Sequence, residues 1–238
     1  MHAITAGPSE AGARPTFAKR AFYVLKAWLQ APMDVATLCP SSPYLTRKLA
    51  NRDCVKNARC VIELGPGAGG TTQALLEYMR PDAKLLAVEK STVFSEPLHA
   101  IHDPRLEVAM DDACALAEIA AKHEFGLVDA VVSGIPFSSM PSAVAKTIAQ
   151  SIHQVLRPGG VFVAYQIRDH VNEFARPLFG PAETEAIPMN FPPLTLYTWT
   201  KVCVAQQDAA DRRGQNEIVH DQWHKSQRVA EVQGLSHP

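Results

Sequence analysis

The sequence predicts an α/β protein: a doubly wound, Rossmann-like parallel sheet, an antiparallel hairpin at one sheet edge, and an N-terminal amphipathic helix. Three observations predict it. First, five apolar runs of strand length, Cys60–Leu64, Leu85–Glu89, Leu106–Ala109, Leu127–Ser133 and Gly160–Ile167, alternate with the helix-like stretches Thr72–Arg80, Ser91–Ile101, Ala113–Lys122 and Ser142–Leu156. Such alternation implies a parallel sheet with helices on both faces. Second, a glycine-rich segment follows the first run directly, where a doubly wound fold turns from strand to helix. Third, Glu183–Ile187 and Leu194–Val204 are separated by Pro188 and Asn190-Phe191-Pro192-Pro193, and two strands over a short connection predict the hairpin.

The elements follow in chain order. Residues 1–15 read as a flexible N-terminus. Thr16–Gln30 reads as an amphipathic helix, with Phe17, Ala21, Val24 and Trp28 at helical spacing, and likewise Ala18, Phe22, Leu25 and Leu29. Lys19, Arg20, Lys26 and Gln30 occupy its other side, and Pro32 stops it. A second helix starts at Pro43, because Ser42 is a good N-cap and proline suits the first helical position. These helices make residues 16–58 a segment that docks on a membrane or covers the site. Residues 59–205 form the main domain, with Pro158-Gly159-Gly160 as a turn feeding its fifth strand. Residues 206–238 are polar and weakly periodic, and read as a partly disordered tail.

The 238 residues suit one domain with a full core, and no apolar run reaches the ~20 residues of a membrane-spanning helix. Met1 to Thr16 has no continuous apolar stretch and carries Glu10, so it does not read as a secretory signal. A net charge of −1 leans away from duplex nucleic acid as the main partner. The cysteines 39, 54, 60, 114 and 203 are scattered and odd in number. They argue for a reducing compartment and against a disulfide framework or a structural zinc.

The strongest local signal is Glu63-Leu64-Gly65-Pro66-Gly67-Ala68-Gly69-Gly70-Thr71. Glycines there let the backbone approach a ligand, and the helix that follows offers unpaired N–H groups to an anion such as a carboxylate. The glycine spacing and the acidic Glu63 look like methyltransferases rather than dehydrogenases. Glu89 ends the second strand roughly 20 residues beyond Gly69, the distance at which a doubly wound fold brings a carboxylate to ribose hydroxyls. After the third strand, Asp112 suits an adenine amino group, with Asp111 as the alternative; a helix N-cap is the competing role. The predicted cofactor is S-adenosylmethionine, and the residues expected to hold it are Glu63, Gly65, Pro66, Gly67, Gly69, Thr71, Glu89, Lys90, Asp112, Ala113, Ser133 and Gly134.

The fourth strand ends in Val132-Ser133-Gly134-Ile135-Pro136-Phe137. This segment resembles the N-L-P-Y/F motif of RNA adenine dimethylases, and more closely the S-G-L/I-P stretch of bacterial phospholipid N-methyltransferases. The second family is also resembled by the Phe22–Leu29 helix followed by Cys39-Pro40-Ser41-Ser42, by the glycine loop, by Leu156-Arg157-Pro158-Gly159-Gly160 and by Asn190-Phe191-Pro192-Pro193. The resemblance spans roughly Phe17 to Val204. It implies an S-adenosylmethionine-dependent methyltransferase acting on the amine of a membrane aminolipid such as phosphatidylethanolamine.

Two departures from the dimethylases disfavour an RNA adenine N6-methyltransferase, which stays open as an alternative, as does another small-molecule methyltransferase. Gly134 stands where they have Asn, so the acceptor an aromatic amine requires is missing, as is their basic C-terminal domain. An aliphatic amine needs a desolvated pocket, loss of one proton and in-line approach. The candidate catalytic residues are Ser133, Pro136, Phe137 and Tyr44, with core packing the competing role for each aromatic. Asp169, His170 and Glu173 suit a base less well than a solvated helix face. His220 and His224 stand four apart in an otherwise featureless tail, and no metal is expected. The remaining expectations are a monomer that binds no nucleic acid, is cytoplasmic, and docks through Thr16–Gln30 on the anionic cytoplasmic membrane surface.

Overall fold

The computed structural model describes residues 42–190 and 193–202. The Thr16–Gln30 helix, Cys39-Pro40-Ser41, Phe191-Pro192 and the tail after Gln206 lie outside them. Among the described residues, seven strands form one sheet: β1 (Cys60–Leu64), β2 (Lys84–Val88), β3 (Leu106–Ala109), β4 (Val128–Ser133), β5 (Leu156–Gln166), β6 (Glu183–Ile187) and β7 (Leu194–Thr200). Their order is β3-β2-β1-β4-β5-β7-β6. The first five are parallel, and β7 runs antiparallel to both β5 and β6. The hairpin expected at one edge is therefore present, with β7 inserted beside β5 and β6 outermost.

The helices are α1 (Pro43–Ala50), α2 (Asp53–Lys56), α3 (Gly70–Tyr78), α4 (Ser95–His99), α5 (Leu116–Lys122), α6 (Ser142–Val155) and α7 (His170–Phe179). Strand alternation sends side chains to opposite faces, and each face is covered. Val61, Leu85, Ala130, Val132, Val163 and Leu196 meet Leu45 and Leu49 of α1 and Leu75 of α3. Ile62, Leu64, Val131, Phe162 and Trp199 meet α5, α6 and α7 on the other side. There Trp199 stacks on Phe162 at 5.0 Å and 16°, and on Tyr197 at 5.9 Å. Asp129 closes the far end of the sheet. Its carboxylate accepts the backbone N–H groups of Arg59 (2.8 Å) and Cys60 (3.0 Å), and Arg157 Nε (2.6 Å).

Ser42 caps α1 as expected, its Oγ accepting the N–H of Leu45 at 3.2 Å. Three predicted elements come out differently. Ser91–Ile101 divides into a 3-10 turn, Thr92–Phe94, and α4, because Pro97 clashes with the carbonyl a helix would place four residues earlier. The Ala113–Lys122 helix opens as a 3-10 turn over Ala113–Ala115. Pro158-Gly159-Gly160 lies inside β5 rather than ahead of it. Gly159 N–H donates to Lys201 O and Lys201 N–H to Gly160 O, which ties this stretch to the end of β7.

Candidate active site

In an open α/β sheet, ligands sit beyond the carboxyl ends of the strands, where the strand order reverses. Here that point lies between β1 and β4. Loops from both converge on it: Gly65 N–H donates to Val88 O at 3.0 Å, and Gly134 N–H to Leu64 O at 2.8 Å.

Glu63 faces α3. Its Oε2 accepts the hydroxyl of Thr72 at 2.6 Å, while Oε1 is buried with no partner among the described residues. Burial pushes this carboxyl up to about 8; the Thr72 bond opposes the shift and the Glu89 charge adds to it. A buried acid short of a partner, beside the start of a helix, suits a ligand that brings positive charge. Gly67 has φ +55°, and a Cβ added there would meet no protein atom within 4 Å. The loop thus leaves backbone open to a ligand on that side. Gly69 is the N-cap of α3 and offers no side-chain acceptor, so the first-turn N–H groups are left without a side-chain cap and suit a carboxylate. Pro66 closes the loop by accepting Gly69 N–H at 3.0 Å, and Thr71 is buried behind it.

Glu89 follows β2 with both oxygens engaged by backbone, Oε2 by Gly67 N–H (3.0 Å) and Oε1 by Ser91 N–H (2.8 Å). Burial raises its carboxyl above the ordinary range despite these bonds. Asp111 N–H donates to Glu89 O, which brings the loop after β3 alongside. Asp112 does what the competing reading foresaw: Oδ1 caps the next turn by accepting Cys114 N–H at 2.9 Å, and Oδ2 pairs with Lys90 Nζ at 3.2 Å. The Cys114 bond and the lysine hold its carboxyl below the usual range. Asp111 Oδ1 accepts Asp112 N–H, and Ala113 is buried beneath the turn.

The acceptor side differs from what the residue types suggest. Ser133 is fully buried and its Oγ accepts Ile135 N–H at 3.3 Å. Phe137 is 1% exposed, packed in the core with Phe174 at 6.4 Å, so its ring presents no open face. Pro136 is half-buried in the loop. Tyr44 is exposed on α1 with Lys48 Nζ over its ring. His170 and Glu173 are exposed at the start of α7, where they line a cleft with Asp169, Asn172 and Arg176.

Two neighbouring residues of β5 escaped the sequence reading. Gln166 is buried; its Nε2 donates to Ile135 O at 2.8 Å and its Oε1 accepts Phe137 N–H at 3.3 Å, so it clamps the loop after β4. Tyr165 lies against Gly134: a Cβ on that glycine would fall 2.7 Å from the phenol Cζ and closer still to its hydroxyl. The available signal was a polar pair ending an apolar strand.

No family model matches the chain. The chain is similar to the ornithine lipid N-methyltransferase of Singulisphaera acidiphila, 30% identical over 179 residues, 74% of this chain and 93% of that enzyme. The chain belongs to this family, the bacterial lipid N-methyltransferases. This lipid N-methyltransferase homologue is also 38% identical over 96 residues to ribosomal RNA small subunit methyltransferase A of Phenylobacterium zucineum, 40% of this chain but 32% of that protein. The fold recurs in the N-methyltransferase NodS of Bradyrhizobium japonicum, solved with S-adenosylhomocysteine (TM-score 0.57, 14% identity, 79% of this chain and 98% of that one). It recurs too in a Burkholderia thailandensis 1,6-didemethyltoxoflavin N1-methyltransferase (TM-score 0.54, 19% identity, 85% and 94%). The chain is an S-adenosylmethionine-dependent methyltransferase. The open backbone at Gly67, the uncapped start of α3 and the partnerless Glu63 oxygen fit a ligand with a carboxylate and positive charge.

Proposed function

We propose that this methyltransferase acts on the aliphatic amine of a membrane aminolipid, of the ornithine lipid or phosphatidylethanolamine type. The observation that carries this reading is the acceptor loop. Gly134 offers no amide to an aromatic amine, and the Phe137 ring, buried in the core, offers no face on which a base could stack. A planar base needs both an in-plane amide and a stacking face; an aliphatic amine, which a single N–H acceptor of any kind can orient, needs neither of these two. The similarity to an ornithine lipid enzyme supports the same reading. When bound, S-adenosylmethionine supplies a sulfonium methyl group to a nitrogen lone pair. The chain's part is to hold it: Gly67 and the α3 N-terminus through backbone, Glu63 through charge, and Glu89 through the ribose hydroxyls. The amine must lose a proton before it reacts, so the rate should rise through the mildly alkaline range. The test is methyl-labelled S-adenosylmethionine offered with ornithine lipid, phosphatidylethanolamine or structured RNA. Label is expected in lipid and absent from RNA; dimethyladenosine in RNA with unlabelled lipid would refute the reading.

The lipid amine lies at a bilayer surface, so the reading carries a docking proposal: a cytoplasmic monomer held at the anionic membrane face through Thr16–Gln30. Those residues lie outside the described ones, and the proposal rests on their sequence. Phe17, Phe22, Leu25, Trp28 and Leu29 would insert, while Arg14, Lys19, Arg20 and Lys26 contribute ~1 kcal/mol each near anionic lipid. Co-sedimentation with anionic vesicles is expected, weaker at high salt or with neutral lipid. Replacing Lys19, Arg20 and Lys26 by Glu should abolish it with S-adenosylmethionine affinity unchanged. A triple variant that unfolds or loses the cofactor, from a protein never seen on vesicles, would make the helix structural.

A further inference from the structure

We propose that the Tyr165 hydroxyl is the side-chain group that receives the acceptor amine, an assignment that rests on the aminolipid reading above. Tyr165 stands one residue from the carboxyl end of β5, opposite Leu196 of β7, and its neighbour Ala164 pairs with Ser133 of β4. The register therefore delivers it to the end of β4. The hydroxyl occupies the space that a side chain at position 134 would fill. The same Cβ position lies 3.2 Å from Gly65 O, so the phenol stands where the β4 loop meets the cofactor loop, at the reversal of strand order. Gly134 is thus more than a missing acceptor: a glycine there is the condition for the phenol to reach this point.

The surroundings hold the phenol in place. Its ring is half-buried against the α1 and α3 face of the sheet, in the cluster with Leu196 and Ile187. The next residue, Gln166, bonds Ile135 and Phe137. One short piece of β5 therefore positions both the acceptor loop and the hydroxyl above it. A phenol oxygen can both donate its proton and accept, so it can take an N–H of the amine alongside a bond it makes within the protein. By taking one N–H of the incoming amine, Tyr165 would turn the nitrogen's lone pair towards the reacting methyl group. An asparagine at position 134 would do the same for a planar amine from nearly the same place.

The experiment compares wild type, Tyr165→Phe, Tyr165→Ala and the double variant Gly134→Asn/Tyr165→Ala, with ornithine lipid in mixed micelles as acceptor. It measures kcat and KM, S-adenosylhomocysteine affinity, the melting temperature, and calorimetric binding of ornithine lipid to the S-adenosylhomocysteine complex. Tyr165→Phe should keep its melting temperature and S-adenosylhomocysteine affinity. It should lose roughly ten- to hundredfold in kcat/KM, the scale of one hydrogen bond to a charged group, and bind the lipid more weakly in the ternary complex. The double variant should recover part of the turnover lost in Tyr165→Ala. Turnover and lipid binding within twofold of wild type in Tyr165→Phe would overturn the assignment. So would a parallel loss of S-adenosylhomocysteine affinity and melting temperature, which would make the phenol a packing group. If wild type methylates RNA or another small molecule and no aminolipid, the substrate reading falls and this inference falls with it.

Discussion

A Glu63→Gln variant without cofactor is expected to gain stability over wild type as pH rises from about 5 to 8. In the folded chain the Glu63 carboxyl keeps its proton up to about 8, against 4.5 when exposed. Between those values the native state holds a proton that the unfolded state has released. Stability then falls with rising pH, by about 1.4 kcal/mol for each unit, and levels off above pH 8. Glutamine keeps the shape and the hydrogen bond to Thr72 but has no proton to lose, so the difference between the two melting curves isolates this one group. A difference that stays flat from pH 5 to 9 would show that Glu63 is not a neutral acid in the cofactor-free protein. The same geometry predicts a cost for the variant. A cationic ligand beside Glu63 stabilises the ionised form, so binding at pH 7 should release a proton in wild type and none in Glu63→Gln. Calorimetry in buffers of different ionisation enthalpy reads that proton directly.

The second large effect concerns the grip on the cofactor. Gly67→Ala puts a methyl group into space that the protein leaves open, so a lost affinity is a clash with ligand. It also carries a left-handed strain cost of ~1–2 kcal/mol, which a melting curve separates from binding. Glu89→Ala acts twice, removing the carboxylate proposed to hold the ribose and freeing the N–H groups of Gly67 and Ser91 that shape the loop. Each variant should weaken S-adenosylmethionine binding by ~1–3 kcal/mol. Glu89→Gln should be impaired as well, because its amide turns an N–H towards one of those backbone donors. Unchanged calorimetric affinity in all three, with the fold intact, would remove Gly67 and Glu89 from the site.

The sequence by itself determined the strand-and-helix order, the glycine loop after β1 and the acids after β2 and β3. Each of these is written in local pattern: apolar runs of strand length, turn chemistry, and a spacing from Gly69 to Glu89 set by one βαβ unit. The tertiary structure alone decided which side chains share the site. Phe137 is identical in sequence terms as a stacking residue or a core residue. Only the packing of α7, which brings Phe174 against it, makes it core. Asp112 suits a ligand or a cap equally well until the turn at Ala113–Ala115 takes its carboxylate. Tyr165 and Gln166 lie about thirty residues beyond the loop they govern, and nothing local links the two segments. The link is the parallel register of β4 and β5. A shift of one residue there would exchange the faces of Tyr165 and Gln166 and take both from the loop. Register is chosen by burial across the whole sheet, by Phe162 and Trp199 on one face and Val163 and Leu196 on the other. It is a property of the assembled layers rather than of any stretch of chain.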